Sequence, residues 1–195
     1  MRKFIFLLFA SALAFSIHAQ QPAKKRTTWG YKAGINISRL NTDGPTTMDN
    51  KWKTGFATGL YVNIPAGARF SVQPEFLYSS MGGDMEQFSS STGYRLNYFS
   101  IPLLAKFNLV KGLSFVAGPQ ADILIVAKTL TTSGTFKTTG NYKDYSFNIT
   151  GGLEFWPCKG FGLSARYMHG LDNISDISTA EMKNQGVQLM AALKF

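Results

Sequence analysis

The chain is poor in the residues that most often announce chemistry. One cysteine in 195 residues excludes a disulfide framework and a cysteine-rich zinc site. Two histidines, His18 and His169, leave little for a metal centre. No GxxxxGK[ST], GxSxG, HExxH or EF-hand loop occurs, so the common motif-bearing enzyme classes fall away. Asp43, Asp49 and Asp84 lie near glycines, but at a spacing that fits no calcium loop, so no metal or other cofactor is assigned. Beyond the N-terminus no apolar run approaches 18 residues, which excludes helical membrane spans. Charged residues make up only 16% of the chain, yet hydrophobic residues reach 45%, which argues against disorder.

The N-terminus is informative. Arg2 and Lys3 precede an apolar run from Phe4 to Ile17, and Ala19 supplies a small residue for cleavage. The pattern reads as a secretory signal peptide over 1–19, too short and wrongly flanked for a membrane anchor. No lipobox cysteine follows. Residues 20–28 form a short basic tail facing the periplasm, and 29–195 form one domain. Export removes nucleic acid as a partner, although the formal charge is +9.

From Trp29 onward the chain alternates with period two, as strands with two different faces do. Trp29, Tyr31, Ala33, Ile35 and Ile37 oppose Gly30, Lys32, Gly34, Asn36 and Ser38. At the other end Val187, Leu189, Ala191, Leu193 and Phe195 oppose Gly186, Gln188, Met190, Ala192 and Lys194. Six further segments, near 53–64, 69–81, 93–108, 112–126, 143–156 and 160–170, bring the total to eight, each long enough for a tilted strand to cross a bilayer. Their connections alternate: short turns at 65–68, 110–112 and 157–160, long polar loops near 40–52, 82–92, 127–142 and 171–185. Short periplasmic turns with longer outer loops are the pattern of outer-membrane barrels, and they put both termini in the periplasm. The fold expected is an all-β, eight-stranded antiparallel up-and-down transmembrane barrel.

The polar face carries Lys32, Gln73, Glu75, Lys106, Gln120, Asp122, Glu154, Arg166 and Lys194. Charges of both signs inside a narrow eight-stranded cylinder must be partnered, so Lys32, Glu75, Lys106, Asp122, Glu154 and Arg166 are read as a structural interior network that plugs the barrel. A soluble lipocalin-like carrier of an apolar ligand would invert the two faces, and a β-sandwich would scatter its aromatics through a core. The aromatics instead sort into two expected girdles: Trp29, Tyr31, Phe70, Phe107, Phe115, Phe155, Trp156, Phe161 and Phe195 near the short turns, and Phe56, Tyr78, Tyr94, Tyr98, Tyr145 and Tyr167 near the loops. Pro74, Pro102 and Pro119 each fall inside a strand, where β-bulges are expected to absorb the missing N–H.

Several stretches resemble a known family. They are Gly30-Tyr31-Lys32-Ala33-Gly34-Ile35-Asn36, Val72-Gln73-Pro74-Glu75-Phe76-Leu77-Tyr78-Ser79, Tyr98-Phe99-Ser100-Ile101-Pro102-Leu103-Leu104-Ala105-Lys106, Ala117-Gly118-Pro119, and Ala165-Arg166-Tyr167-Met168-His169-Gly170-Leu171-Asp172-Asn173-Ile174. Together they resemble the outer-membrane β-barrel family of Bacteroidota-type bacteria, described as PorT-like or OmpA-like porin-family barrels. The resemblance implies insertion by the barrel-assembly machinery, with Phe195 as an aromatic terminal signal, and a link to secretion or envelope integrity. This chain departs from many relatives in carrying Ser100 where they have an acidic residue.

Two residues were weighed for chemistry. His169 near the outer rim could belong to a lipid-modifying barrel enzyme, but no matching Ser–His motif accompanies it, so it is read as an interfacial polar side chain and no catalytic residue is assigned. Cys158, in the 157–160 turn, has no partner cysteine, so it makes no internal bridge; an intermolecular bond or a free thiol is left. Lys51, Lys53, Lys128, Lys137, Lys143 and Lys183 lie in or beside the long loops, where they read first as solvated loop charge and second as contacts to outer-membrane lipids including lipopolysaccharide. The reading is a non-enzymatic barrel with a structural or docking role, an envelope protein being the natural partner.

Overall fold

A computed structural model describes residues 26–43, 49–87, 90–131, 134–174 and 181–195. The expected signal peptide and tail residues 20–25 lie outside the described residues. The strands are β1 (Thr28–Asp43), β2 (Asp49–Pro65), β3 (Phe70–Gln87), β4 (Ser90–Val110), β5 (Leu113–Thr131), β6 (Gly134–Lys137), β7 (Tyr145–Phe155), β8 (Phe161–Gly170) and β9 (Glu181–Lys194). Every pairing is antiparallel. With β6 set aside, successive strands pair, β5 with β7 included, and β1 closes the ring on β9, from Gly30↔Lys194 to Asp43↔Glu181. The result is an eight-stranded up-and-down barrel, with β6 added as a short hairpin on the upper part of β5. Where the ladders overlap, closure gives each of the eight described strands a neighbour on both sides, which the hydrocarbon region demands of a sheet.

The alternation sorts the faces as the two solvents require. Ile35, Phe147 and Leu189 point outward with 43%, 48% and 41% of their surface exposed, while their neighbours Asn36, Asn148 and Gln188 are buried in the lumen. Trp29, Tyr31, Phe70, Phe107, Phe115, Phe155, Phe161 and Phe195 form the outward aromatic level at the short-turn end, where Trp29 and Phe195 lie 4.9 Å apart. Toward the other end, Phe56 stacks on Tyr78 at 5.4 Å, and Tyr145 and Tyr167 are exposed. Three aromatics depart from the expected girdles. Tyr98 is buried in the lumen, Tyr94 packs beside it, and Trp156 turns back over the barrel mouth.

The expected long loops at 40–52 and 82–92 are largely strand. β1 continues to Asp43, β2 begins at Asp49, and the β3–β4 ladder extends to Gln87↔Ser90. The 127–142 segment likewise carries the top of β5 and β6, followed by a single 3₁₀ turn at Thr139–Asn141. Polar sequence marked these stretches as solvent-facing, but their backbone groups still need partners, and the adjacent antiparallel chain supplies them. β1 to β5 therefore run 16, 17, 18, 21 and 19 residues, well beyond the 9–11 or so that a bilayer crossing takes.

The bulges expected at the prolines are absent. Register shifts fall between Trp52 and Ala57, Asn97 and Tyr98, and Asn108 and Val110. Across Pro74, Pro102 and Pro119 the register is unchanged: each keeps a partner on one flank (Leu103, Gln120 and Ile149) and loses rungs on the other. An antiparallel residue directs its N–H to one neighbour only, so one missing donor interrupts a single ladder and leaves the other intact.

Candidate functional site

The lumen is filled at two levels of different character. In the half nearer the short turns, periplasmic in barrels of this kind, β1, β3, β4, β7 and β8 each contribute charge or amide. Lys32 donates to Glu75 Oε1 at 2.6 Å and to Glu154 Oε1. Lys106 donates to Glu154 Oε2 at 2.7 Å, and Arg166 Nη1 to Glu75 Oε2 at 2.8 Å. Gln73 binds the cluster together, its amide nitrogen 2.9 Å from both Glu75 Oε1 and Glu154 Oε1. Lys32 and Glu75 are fully buried, and Glu154, Arg166 and Lys106 nearly so. Both oxygens of both carboxylates are thus engaged, which is the condition for keeping such charge out of water. The cluster nevertheless contains three cations and two carboxylates.

Asp122 stands apart from this group. It lies in the rung Ser100↔Asp122↔Ser146 and accepts from Gln120 Nε2 at 2.9 Å and Asn148 Nδ2 at 2.5 Å. It makes no ion pair among the described residues, so it belongs to an amide-lined site above the ion cluster. A band of neutral bonds occupies another stretch of the wall: Gln188 donates to Asn36 Oδ1 at 2.9 Å, and Asn36 donates to Ser79 Oγ at 2.8 Å.

Toward the outer end the lumen becomes apolar. Leu40, Met81, Leu96, Tyr98, Leu124, Ala127, Tyr142, Met168 and Ile174 form one buried cluster, with Tyr94 and Met182 against it. Sequence reading, which treated the inward face as uniformly polar, missed this group. The signal was present: Leu40, Leu96, Tyr98 and Met168 occupy inward positions of the alternation and break its polarity. Tyr142, outside the spanning strands, has its phenol pushed well above the ordinary range by burial.

At the short-turn end the mouth opens into a cavity of about 450 Å³. Tyr61 and Trp156 wall it, with ring centroids 6.3 Å apart, and Lys106 and Lys194 each place an ammonium 5.3 Å from the Trp156 ring. The local sequence explains why Trp156 leaves the lipid face. Its N–H donates to the Gly112 carbonyl at 2.7 Å across the tight turn, where Gly112 adopts φ +84°. Its indole then lies on Gly162, where any Cβ would stand 2.7 Å from the ring.

His169 and Cys158 lie elsewhere. His169 Nδ1 is 3.3 Å from the Gln185 amide nitrogen, and its ring stacks on Tyr167 at 6.4 Å. Cys158 is exposed in its turn as a free thiol. Among the described residues no cluster of three or more His, Cys, Asp or Glu could hold a metal ion, and Asp84 pairs instead with Lys53 at 2.6 Å.

The sequence profile described as "Outer membrane protein beta-barrel domain" matches residues 18–176. No curated protein matches. Among solved structures, the attachment invasion locus protein Ail of Yersinia pestis is similar with a TM-score of 0.54 at 19% identity, covering 88% of this chain and all of that one. A second Ail structure, in complex with the heparin analogue sucrose octasulfate, gives 0.54 at 20% identity over the same 88% of this chain and 100% of that one. Neisserial surface protein A gives 0.56 at 9% identity, again over 88% of this chain and 100% of that one. At such identities the likeness concerns the fold.

Proposed function

The chain belongs to the outer membrane protein beta-barrel domain family, and from that premise we propose that it is a plugged, non-enzymatic barrel whose outer end serves as a docking surface. The observation that carries this reading is the filling of the lumen by an ion cluster below and an apolar cluster above. A polar-lined channel is what a porin needs, and an apolar barrier on top of engaged carboxylates opposes one. The interior network of Lys32, Glu75, Lys106, Glu154 and Arg166 is structural on this reading, with Asp122 a separate amide-bound member.

What lies beyond the bilayer supports docking. β1–β5 continue as paired strands above the spanning region, giving a stiff platform of the kind a partner can dock on without a large ordering cost. An envelope protein is the partner proposed. Lipopolysaccharide is a second contact, supported by the row Arg95↔Lys128↔Lys137 across β4, β5 and β6. Three exposed like charges side by side on one face destabilise a sheet unless an anion bridges them. Export by a cleavable signal peptide over 1–19, insertion by the barrel-assembly machinery and a PorT-like affiliation with a link to secretion complete the proposal, on the sequence stretches quoted above.

The test is a pull-down from native outer membranes with the intact protein and with a version in which the β3–β4 hairpin above Gly82 and Arg95 is replaced by a short turn. Recovery of one envelope protein by the intact chain and its loss with the shortened one supports docking. Equal recovery by both contradicts it.

A further inference from the structure

We propose that the short-turn mouth of the barrel is a binding site for a small anion, a carboxylate or phosphate group carried on a body with an apolar face, presented from the periplasm.

Four observations converge on the 450 Å³ cavity. First, its size is that of a pocket for a small organic molecule. Second, its charged side chains are Arg26, Lys106 and Lys194, and no carboxylate among the described residues lines it. Arg26 and Lys194 make no ion pair among the described residues. Third, three of its lining residues carry buried polar atoms that have no hydrogen bond among the described residues: the Tyr61 hydroxyl, the Trp156 indole N–H and the Asn63 side-chain oxygen. Tyr61 is only 1% exposed, so its hydroxyl is a desolvated donor, and such groups ordinarily find an acceptor. Fourth, the ion cluster behind the cavity holds Lys32, Lys106 and Arg166 against Glu75 and Glu154. It is one negative charge short, and Asp122, occupied with Gln120 and Asn148, does not supply it.

An anion seated between Lys106 and Lys194 would complete that balance and accept from Tyr61 and Trp156. Pro65 and the exposed part of Trp156, which line the same cavity, would flank an apolar body. Lys106 and Lys194 sit on strands and Trp156 at a tight turn, so little ordering of these groups accompanies binding. Selection is by charge and shape: a cation would meet three like charges at the entrance.

The test uses the full-length protein folded in an uncharged detergent, with Trp29→Phe and Trp52→Phe leaving Trp156 as the sole tryptophan. Its fluorescence is followed during titration with benzoate, inorganic phosphate and benzylamine. A saturable response to an anion with Kd of about 1 mM or tighter is expected. A response favouring benzoate assigns an organic carboxylate, and one favouring phosphate assigns a phosphate-bearing group. Arg26→Gln with Lys194→Gln weakens binding by roughly tenfold, whereas Lys53→Gln at the outer rim leaves it unchanged. These substitutions are at exposed or solvent-reaching lysines and arginines, and heat-modifiable gel mobility verifies that each variant is folded. Absence of saturation with both anions, an equal response to benzylamine, or unchanged affinity in the Arg26→Gln/Lys194→Gln variant overturns the proposal.

Discussion

Replacing Glu154 by Gln keeps the size of the side chain and removes one of the two negative charges in the lumen. Among the described residues, Lys106 then loses its one carboxylate partner, which stood at 2.7 Å, and Lys32 retains Glu75. The cluster passes from three cations on two carboxylates to three on one, with Glu154 1% and Lys32 0% exposed, so water cannot compensate. Removing one partner of a buried pair costs about 3–5 kcal/mol. Lys106→Gln acts in the opposite direction: it leaves two cations on two carboxylates, at a site closer to the mouth, and costs about 1 kcal/mol for the lost charged hydrogen bond. The double variant is therefore less unstable than the sum of its parts, by about 1–3 kcal/mol. Urea unfolding from lipid vesicles, followed by heat-modifiable gel mobility, measures all three. Glu154→Gln proving no worse than Lys106→Gln, or strict additivity in the double variant, refutes the charge accounting.

The remaining expectations concern other layers of the barrel. Leu96→Ala, fully buried in the outer apolar cluster, lowers unfolding stability by about 2–5 kcal/mol in the same assay, with no change in which residues face the lipid. Gly162→Val drives a branched side chain into the Trp156 ring, and a blue-to-red shift of Trp156 emission in the single-tryptophan background reports its displacement toward water. Reconstituted into planar bilayers, the wild-type protein gives no steady ion current, whereas a stable open channel would contradict a plugged lumen.

Much of this architecture is legible in the alternation, for a physical reason. Hydrocarbon and a packed lumen impose different side chains on the two faces, and period two separates Ile35 from Asn36 and Leu189 from Gln188 without any knowledge of pairing. Alternation says which face a residue occupies but not its height, and height is set by register. That is why Lys32, Glu75, Lys106, Glu154 and Arg166 were recognisable as inward, while the separation of Asp122 from them was not. The same limit hid the apolar cluster, since Leu40, Leu96 and Met168 come together only once β1, β4 and β8 are stacked. Composition misled at the outer end, where polar stretches near 40–52 and 82–92 resemble loops although their described residues, 40–43, 49–52, 82–87 and 90–92, are strand. Trp156 was misplaced because its direction depends on Gly112 and Gly162, two positions whose lack of a side chain carries no pattern of its own.

The orientation of the two faces is tested most directly by nitroxide labels placed one at a time, in a Cys158→Ser background, at Ile35, Phe147 and Leu189 and at the neighbouring Asn36, Asn148 and Gln188, with the protein in lipid vesicles. The account predicts that labels at the first three collide freely with oxygen dissolved in the hydrocarbon and scarcely with a water-soluble nickel chelate, whereas labels at the other three are sheltered from the oxygen. Strong oxygen collisions at Asn36, Asn148 and Gln188, with shelter at Ile35, Phe147 and Leu189, would contradict it.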